Sequence, residues 1–136
     1  MDVDTAMAKN KKIHRAGVYA DFFCDGVQRG SLLTLAGQIG IDQDGKIAPD
    51  MKSQVVVCYE NVQRVLAEFG ATMDDIIDET WFVTDVDECM KNVGDIFSAR
   101  ERFYGRKPEV SQTLVGVSAL VDPDLKVEIK CIANLG

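Results

Sequence analysis

The chain has one histidine (His14), one tryptophan (Trp81) and only three prolines among 136 residues. A single imidazole supports neither a histidine-rich metal site nor an ordinary Ser-His-Asp arrangement. His14 itself lies in a basic cluster with Lys9, Lys11, Lys12 and Arg15, and the spacing reads as a solvated or edge residue. The four cysteines (Cys24, Cys58, Cys89, Cys131) are scattered, with no C-x-x-C pair. That favours small buried apolar groups in a reducing cytosol over a disulfide framework. No apolar run approaches the roughly 20 residues that span a bilayer, and Met1 to Lys9 lacks the apolar core of a signal peptide. The expectation is a soluble, cytoplasmic protein. No G-x-x-x-x-G-K-[ST] phosphate loop is present, and Gly37 and Gly40 alone are weak signals.

Positive charge is also short. Fifteen Lys and Arg stand against 22 Asp and Glu, a net charge of −7, which opposes approach to a polyphosphate backbone. Nucleic acid is therefore disfavoured as a partner. The length fits one domain with its own core. We read residues 1–16 as an N-terminal arm, mobile or edge-pairing, and 17–136 as the single domain.

What is present is an alternation of strand and helix patterns. Gly17–Phe23 and Ser31–Ile41 read as a hairpin with its turn at Val27–Gly30, and Asp42–Gly45 is a second turn. Val55, Cys58, Tyr59, Val62, Val65, Leu66 and Phe69 line one face of a helix that Gly70 ends. Ile76–Thr84 is a strand, and Asp85-x-x-Glu88 opens a second helix running toward Gly105. Pro108 blocks its continuation, and Gln112–Val117 and Lys126–Ala133 are strands around the Asp122-Pro123-Asp124 turn. The order β-β-α-β-α-β-β implies an α/β (α+β) fold, one mixed sheet with both helices packed on one face. Its other face is left for self-association, with apolar residues on either parity of the strand, Leu33 and Leu35 against Leu32 and Thr34.

In the last strand Val127, Ile129 and Cys131 alternate with Lys126, Glu128 and Lys130. Periodicity alone makes Glu128 part of a solvated face with cross-strand ion pairs.

Several short stretches, in order, resemble the Rid family, also called YjgF-like or L-PSP. They are Ala36-Gly37-Gln38-Ile39, Asp44-Gly45, Gln54, Asn61-Val62, Ala67-x-x-Gly70-Ala71, Asp75-Ile76-Ile77, Val83-Thr84-Asp85, Pro108 and Val127-Glu128-Ile129-x-x-Ile132-Ala133. No one motif is specific; the ordered set spans Tyr19 to Ala133. The resemblance implies a chorismate-mutase-like fold assembled as a homotrimer, with three ligand clefts between subunits. In the best-known branch these clefts hydrolyse enamines and imines derived from amino acids, releasing ammonia and a 2-oxo acid without metal or organic cofactor. Carried over by motif, Glu128 matches the water-positioning glutamate, the catalytic candidate. Tyr19 matches the cleft tyrosine, Gly37 the cleft glycine, and Ser111 the serine of a Pro-x-Arg-Ser pattern.

The departures are as informative. Val110 stands where the family's deaminases carry the arginine that grips the substrate carboxylate. Gln112 occupies the position of a frequent cysteine, Phe97 that of a usual asparagine, and Val18 that of a proline. A guanidinium gives a carboxylate two charge-assisted hydrogen bonds and valine gives none. Arg106, Lys107 and Arg15 are the candidates for a displaced cation, against a plain reading as surface charge. The resemblance thus implies a small-molecule site, for a carbonyl, enamine or imine metabolite, with altered substrate range. A non-catalytic ligand-binding or regulatory trimer is the alternative. Ribonuclease activity, which the L-PSP label carries, is opposed by the acidic charge and the want of a basic stripe with interleaved aromatics.

Overall fold

The computed structural model describes residues 9–136. Residues 1–8, the first half of the expected arm, lie outside the described residues. Lys11–His14 of that arm forms strand β1, pairing antiparallel with β2 (Gly26–Arg29) at the edge of the sheet. Strands β3 (Leu32–Leu35) and β4 (Gln38–Ile39) follow, then helix α1 (Met51–Glu68), β5 (Ile76–Val83), helices α2 (Val86–Lys91) and α3 (Val93–Tyr104), β6 (Ser111–Gly116) and β7 (Val127–Asn134). The seven strands form one mixed sheet in the order β1-β2-β3-β7-β5-β6, with β4 also on β7. Only β5 and β6 are parallel, as befits strands joined by a helical crossover.

The 3.6-residue period of α1 buries Val55, Cys58, Tyr59, Val62, Val65 and Leu66 against the sheet, and leaves Glu60, Arg64 and Glu68 exposed. Asp50 caps its start by accepting from Ser53 N at 2.8 Å. Gly70, at φ +69°, follows its end in the left-handed conformation that ends many helices. The inward side chains of the central strands complete the core: Leu33 and Leu35, Trp81 and Val83, Val127, Ile129, Cys131 and Ala133.

Three expectations about element boundaries are corrected. Val27–Arg29 is strand, not turn: the hairpin runs from β2 to β3, with Arg29 opposite Leu32 and Gly30 at φ +59° making the reversal. Gly17–Phe23 is not a strand. Gly17 sits at φ +79°, and Ala20 N and Phe22 N donate back to Gly17 O and Tyr19 O, so the segment coils as consecutive turns. Its aromatics are exposed, 78% for Phe22 and 39% for Tyr19. The second helix is likewise two helices. Asn92 turns its side-chain amide onto Glu88 O at 3.0 Å and leaves helical geometry at φ −111°, ψ 21°, a short polar side chain competing with the backbone ladder. Asp85 does open α2, accepting from Glu88 N at 2.9 Å.

Candidate functional site

Strands β3 and β4 both pair with β7 on the same side, Thr34 opposite Ile132 and Gln38 opposite Ile129. One residue too many lies between those pairs, so the chain bulges at Ala36-Gly37 beside Glu128. A Cβ added at Gly37 would collide with the Glu128 carboxylate. The two residues therefore form a unit: a bare backbone with an acid laid over it.

Glu128 is half-buried on the face away from the helices. The expected cross-strand ion pairs are not formed by Glu128 among the described residues, and Lys130, its neighbour on β7, donates from Nζ to Leu35 O at 2.8 Å. Burial raises the Glu128 carboxyl above its ordinary value, and the Lys130 charge offsets only part of this. An acid whose folded pKa is raised destabilises the fold in its charged form, and that penalty disappears below the unfolded value. Glu128→Gln is therefore expected to be more stable than wild type at neutral pH. The gap in urea midpoint should close as the pH falls through the carboxylate range; a gap that widens on acidification refutes this.

Glu128 and Gly37 line a groove of about 920 Å³ with Tyr19, Phe23, Gln38, Asn61 and Arg64 among its walls. Tyr19 stacks on Phe23, centroids 5.6 Å apart, and Asn61 Nδ2 holds the far wall by donating to Ile39 O and Ile41 O. His14 also reaches the groove, its Nδ1 2.7 Å from Asp25 Oδ1. It is a partnered, largely buried ring on edge strand β1, so of the two expectations the edge position fits and the solvated one does not.

The remaining candidates stand elsewhere. Ser111 shares the outer face with Glu128 but lies two strands away and donates to Asp78 Oδ1 at 2.6 Å. Gln112 has the opposite parity and points to the helix side, where its Nε2 donates to Glu79 Oε2 at 2.8 Å. Phe97 packs edge-on against Trp81 with centroids 5.1 Å apart, and Val110 packs against the same core. Of the displaced cations expected, Arg106 is taken by Asp74 at 3.2 Å and Glu109 at 3.6 Å, and Arg15 donates to Ala20 O. Lys107 is exposed.

At the centre of this second group is Glu79, which the sequence reading passed over. Its carboxylate has no solvent exposure. Tyr59 and Tyr104 hydroxyls donate to Oε1 at 2.7 and 2.8 Å, and Arg100 Nε and Gln112 Nε2 donate to Oε2 at 2.6 and 2.8 Å. Burial, then the Glu79 charge, pushes both tyrosine hydroxyls well up, so they remain donors. Burial works against the Arg100 charge, but Glu79 outweighs it and the guanidinium is held more firmly protonated. The signal was available: Glu79, Trp81 and Val83 share one parity of β5, and a carboxylate in an inward series needs partners.

Three of the four thiols are poor nucleophile candidates. Cys58, Cys89 and Cys131 are buried and burial raises each of them; Cys24 is half-buried. Among the described residues no cluster of three metal-ligating side chains occurs and no helix is long and apolar enough to cross a membrane.

Fold and groove together define an α+β protein with a cleft of small-molecule size. The chain belongs to the family described as Endoribonuclease L-PSP, whose sequence profile matches residues 13–135; this is the Rid or YjgF-like group. It is 35% identical over 122 residues to the RutC family protein YjgH of Escherichia coli (strain K12), covering 89% of each chain. It is 29% identical over 114 residues to the 2-iminobutanoate/2-iminopropanoate deaminase of Salmonella typhimurium, covering 82% of this chain and 85% of that one. Among solved structures, E. coli TdcF with bound serine superposes with a TM-score of 0.76 at 26% identity, covering 98% of both chains.

Proposed function

We propose that this protein is a small-molecule-binding Rid-family member with ligand clefts between subunits of a homotrimer, acting as an enamine or imine deaminase of altered substrate range. The observation that carries the reading is the division of the candidate residues. Tyr19, Gly37 and Glu128 meet at the groove, whereas Gln112 bonds Glu79 on the helix side of the sheet, where Phe97 and Val110 pack against the core. A small ligand cannot touch both sets in one subunit; a neighbour bringing its β6 edge to the groove would join them. The outer sheet face, with Leu32 46% and Val115 37% exposed, offers the apolar surface for such packing. In that cleft Glu128 takes a proton from water as the water adds to the C=N carbon, then returns it to the departing amine. Its raised pKa suits both halves of the exchange. The deaminase named among the relatives supports the reaction class, and the serine-bound neighbour supports a ligand of amino-acid size.

Val110 favours a second reading, a ligand-binding or regulatory trimer without turnover, because the family's carboxylate clamp is gone. Ammonia release from freshly generated 2-aminoacrylate and from its carboxamide, 2-aminoacrylamide, separates the two. Acceleration over the uncatalysed reaction, with a light-scattering mass three times the 15.0 kDa chain, is the expected result. A trimer that adds nothing to the blank moves the protein to the second reading, and a monomer removes the shared cleft altogether. RNA cleavage is opposed by the net charge of −7.

A further inference from the structure

The wall around Glu79 presents polar atoms that nothing in the chain uses. An ionised carboxylate only accepts hydrogen bonds, so the group Gln112 turns toward Glu79 Oε2 must be its NH2. The amide oxygen, Oε1, is thereby fixed on the other side, and no described residue donates to it. Arg100 approaches the same Oε2 through Nε, and its Nη groups have no partner among the described residues. No fully buried side-chain nitrogen or oxygen in the described chain lacks a partner, so Gln112 Oε1 and the Arg100 Nη groups are not fully buried and keep some access to solvent. Arg100 is nonetheless held tightly: its side chain is 11% exposed, with the guanidinium 5.5 Å from the Phe97 and Tyr104 ring centroids. An acceptor and a set of donors, tethered to one oxygen, therefore stand beside Phe97 with their orientations set from behind, and Val110, two residues before Gln112, packs against the adjoining core.

We infer that this wall takes the place of the carboxylate clamp and selects a neutral planar amide-type group, a carboxamide, ureido or lactam, in preference to a free carboxylate. The ligand's carbonyl accepts from Arg100 Nη while its N–H donates to Gln112 Oε1. A carboxylate is disfavoured on two counts. Glu79 cancels the Arg100 charge from behind, so no net positive field greets an anion. The Gln112 oxygen would also face a carboxylate oxygen, two acceptors with no proton between them. The apolar Val110 and Phe97 suit the uncharged group.

This rests on the shared cleft proposed above, and the test keeps the two apart. Calorimetric titration of the whole protein compares pyruvamide with pyruvate, which differ only in amide against carboxylate. Wild type is expected to bind the amide at least about tenfold more tightly, the worth of one well-made hydrogen bond and one avoided clash. Gln112→Met, which keeps length and removes the acceptor, should erase most of that preference, with melting followed to verify folding. Val110→Arg, which places the family's clamp, should gain pyruvate binding by about tenfold or more. If wild type favours pyruvate, or Gln112→Met keeps the amide preference, the inference is wrong; a pyruvate gain in Val110→Arg then leaves the cleft standing. If wild type binds neither compound and Val110→Arg gains nothing, the shared cleft fails and the inference with it.

Discussion

Glu79→Ala is expected to lower the unfolding free energy by about 3–5 kcal/mol, the range seen when one member of a buried ion pair is removed. The reason lies in the number of groups left behind. Arg100 would keep a charge in a site where its side chain is 11% exposed. The Tyr59, Tyr104 and Gln112 donors would lose the oxygens they now reach at 2.7, 2.8 and 2.8 Å. Each buried polar group without a partner carries a desolvation penalty of its own, about 1–3 kcal/mol. Against a typical domain stability of about 5–15 kcal/mol, such a loss brings the fold near its limit. Urea unfolding measures it, and the pair Glu79→Leu, Arg100→Leu is the informative partner. Removing both charges together should recover a substantial part of the loss, because an apolar pair of similar volume is often as stable as the ions it replaces. A single Glu79→Ala variant within 1 kcal/mol of wild type would show that the four donors find other partners.

Gly37→Ala is expected to reduce the proposed enamine hydrolysis by about 100-fold, the low end of what a positioned acid or base contributes, while costing only about 1–3 kcal/mol of stability through overpacking. Gly37 needs no left-handed backbone; the constraint is purely the Glu128 carboxylate occupying the space of a Cβ. The added methyl must therefore turn the carboxylate out of place. Because the conflict is between two side chains, adding Glu128→Ala to Gly37→Ala should restore stability without restoring turnover, a non-additivity expected of residues in contact. Unchanged hydrolysis in Gly37→Ala, with a normal melting profile, would mean that Glu128 does not work from this position.

The sequence was most legible where a long period meets a single buried face. Helix α1 could be read almost residue by residue because its inward side chains from Val55 to Leu66 keep the 3.6 spacing. Strand β7 was equally plain, with Val127, Ile129, Cys131 and Ala133 alternating inward. Tyr19, Phe22 and Phe23 were misread because aromatic residues suit both a strand and an exposed cleft rim, and propensity cannot tell which. Asn92 broke a helix by a side-chain bond to Glu88 O that no periodicity announces. The Gly37–Glu128 contact and the convergence on Glu79 join residues 91 and up to 33 positions apart respectively. They are facts of sheet register, and register is what local pattern leaves open. Family resemblance supplied the candidate residues individually; only the fold divides them into two sets.

Strand β6 closes one end of the sheet, with β5 as its only strand neighbour among the described residues. An edge of that kind ordinarily frays, and its amides exchange with solvent ahead of the interior. Here the Gln112 side chain reaches a carboxylate that also holds Tyr59 of α1 and Arg100 and Tyr104 of α3. Releasing β6 means disturbing two helices, so its β5-bonded amides should exchange on the slow timescale of the core, and local opening at this margin becomes part of the global unfolding event.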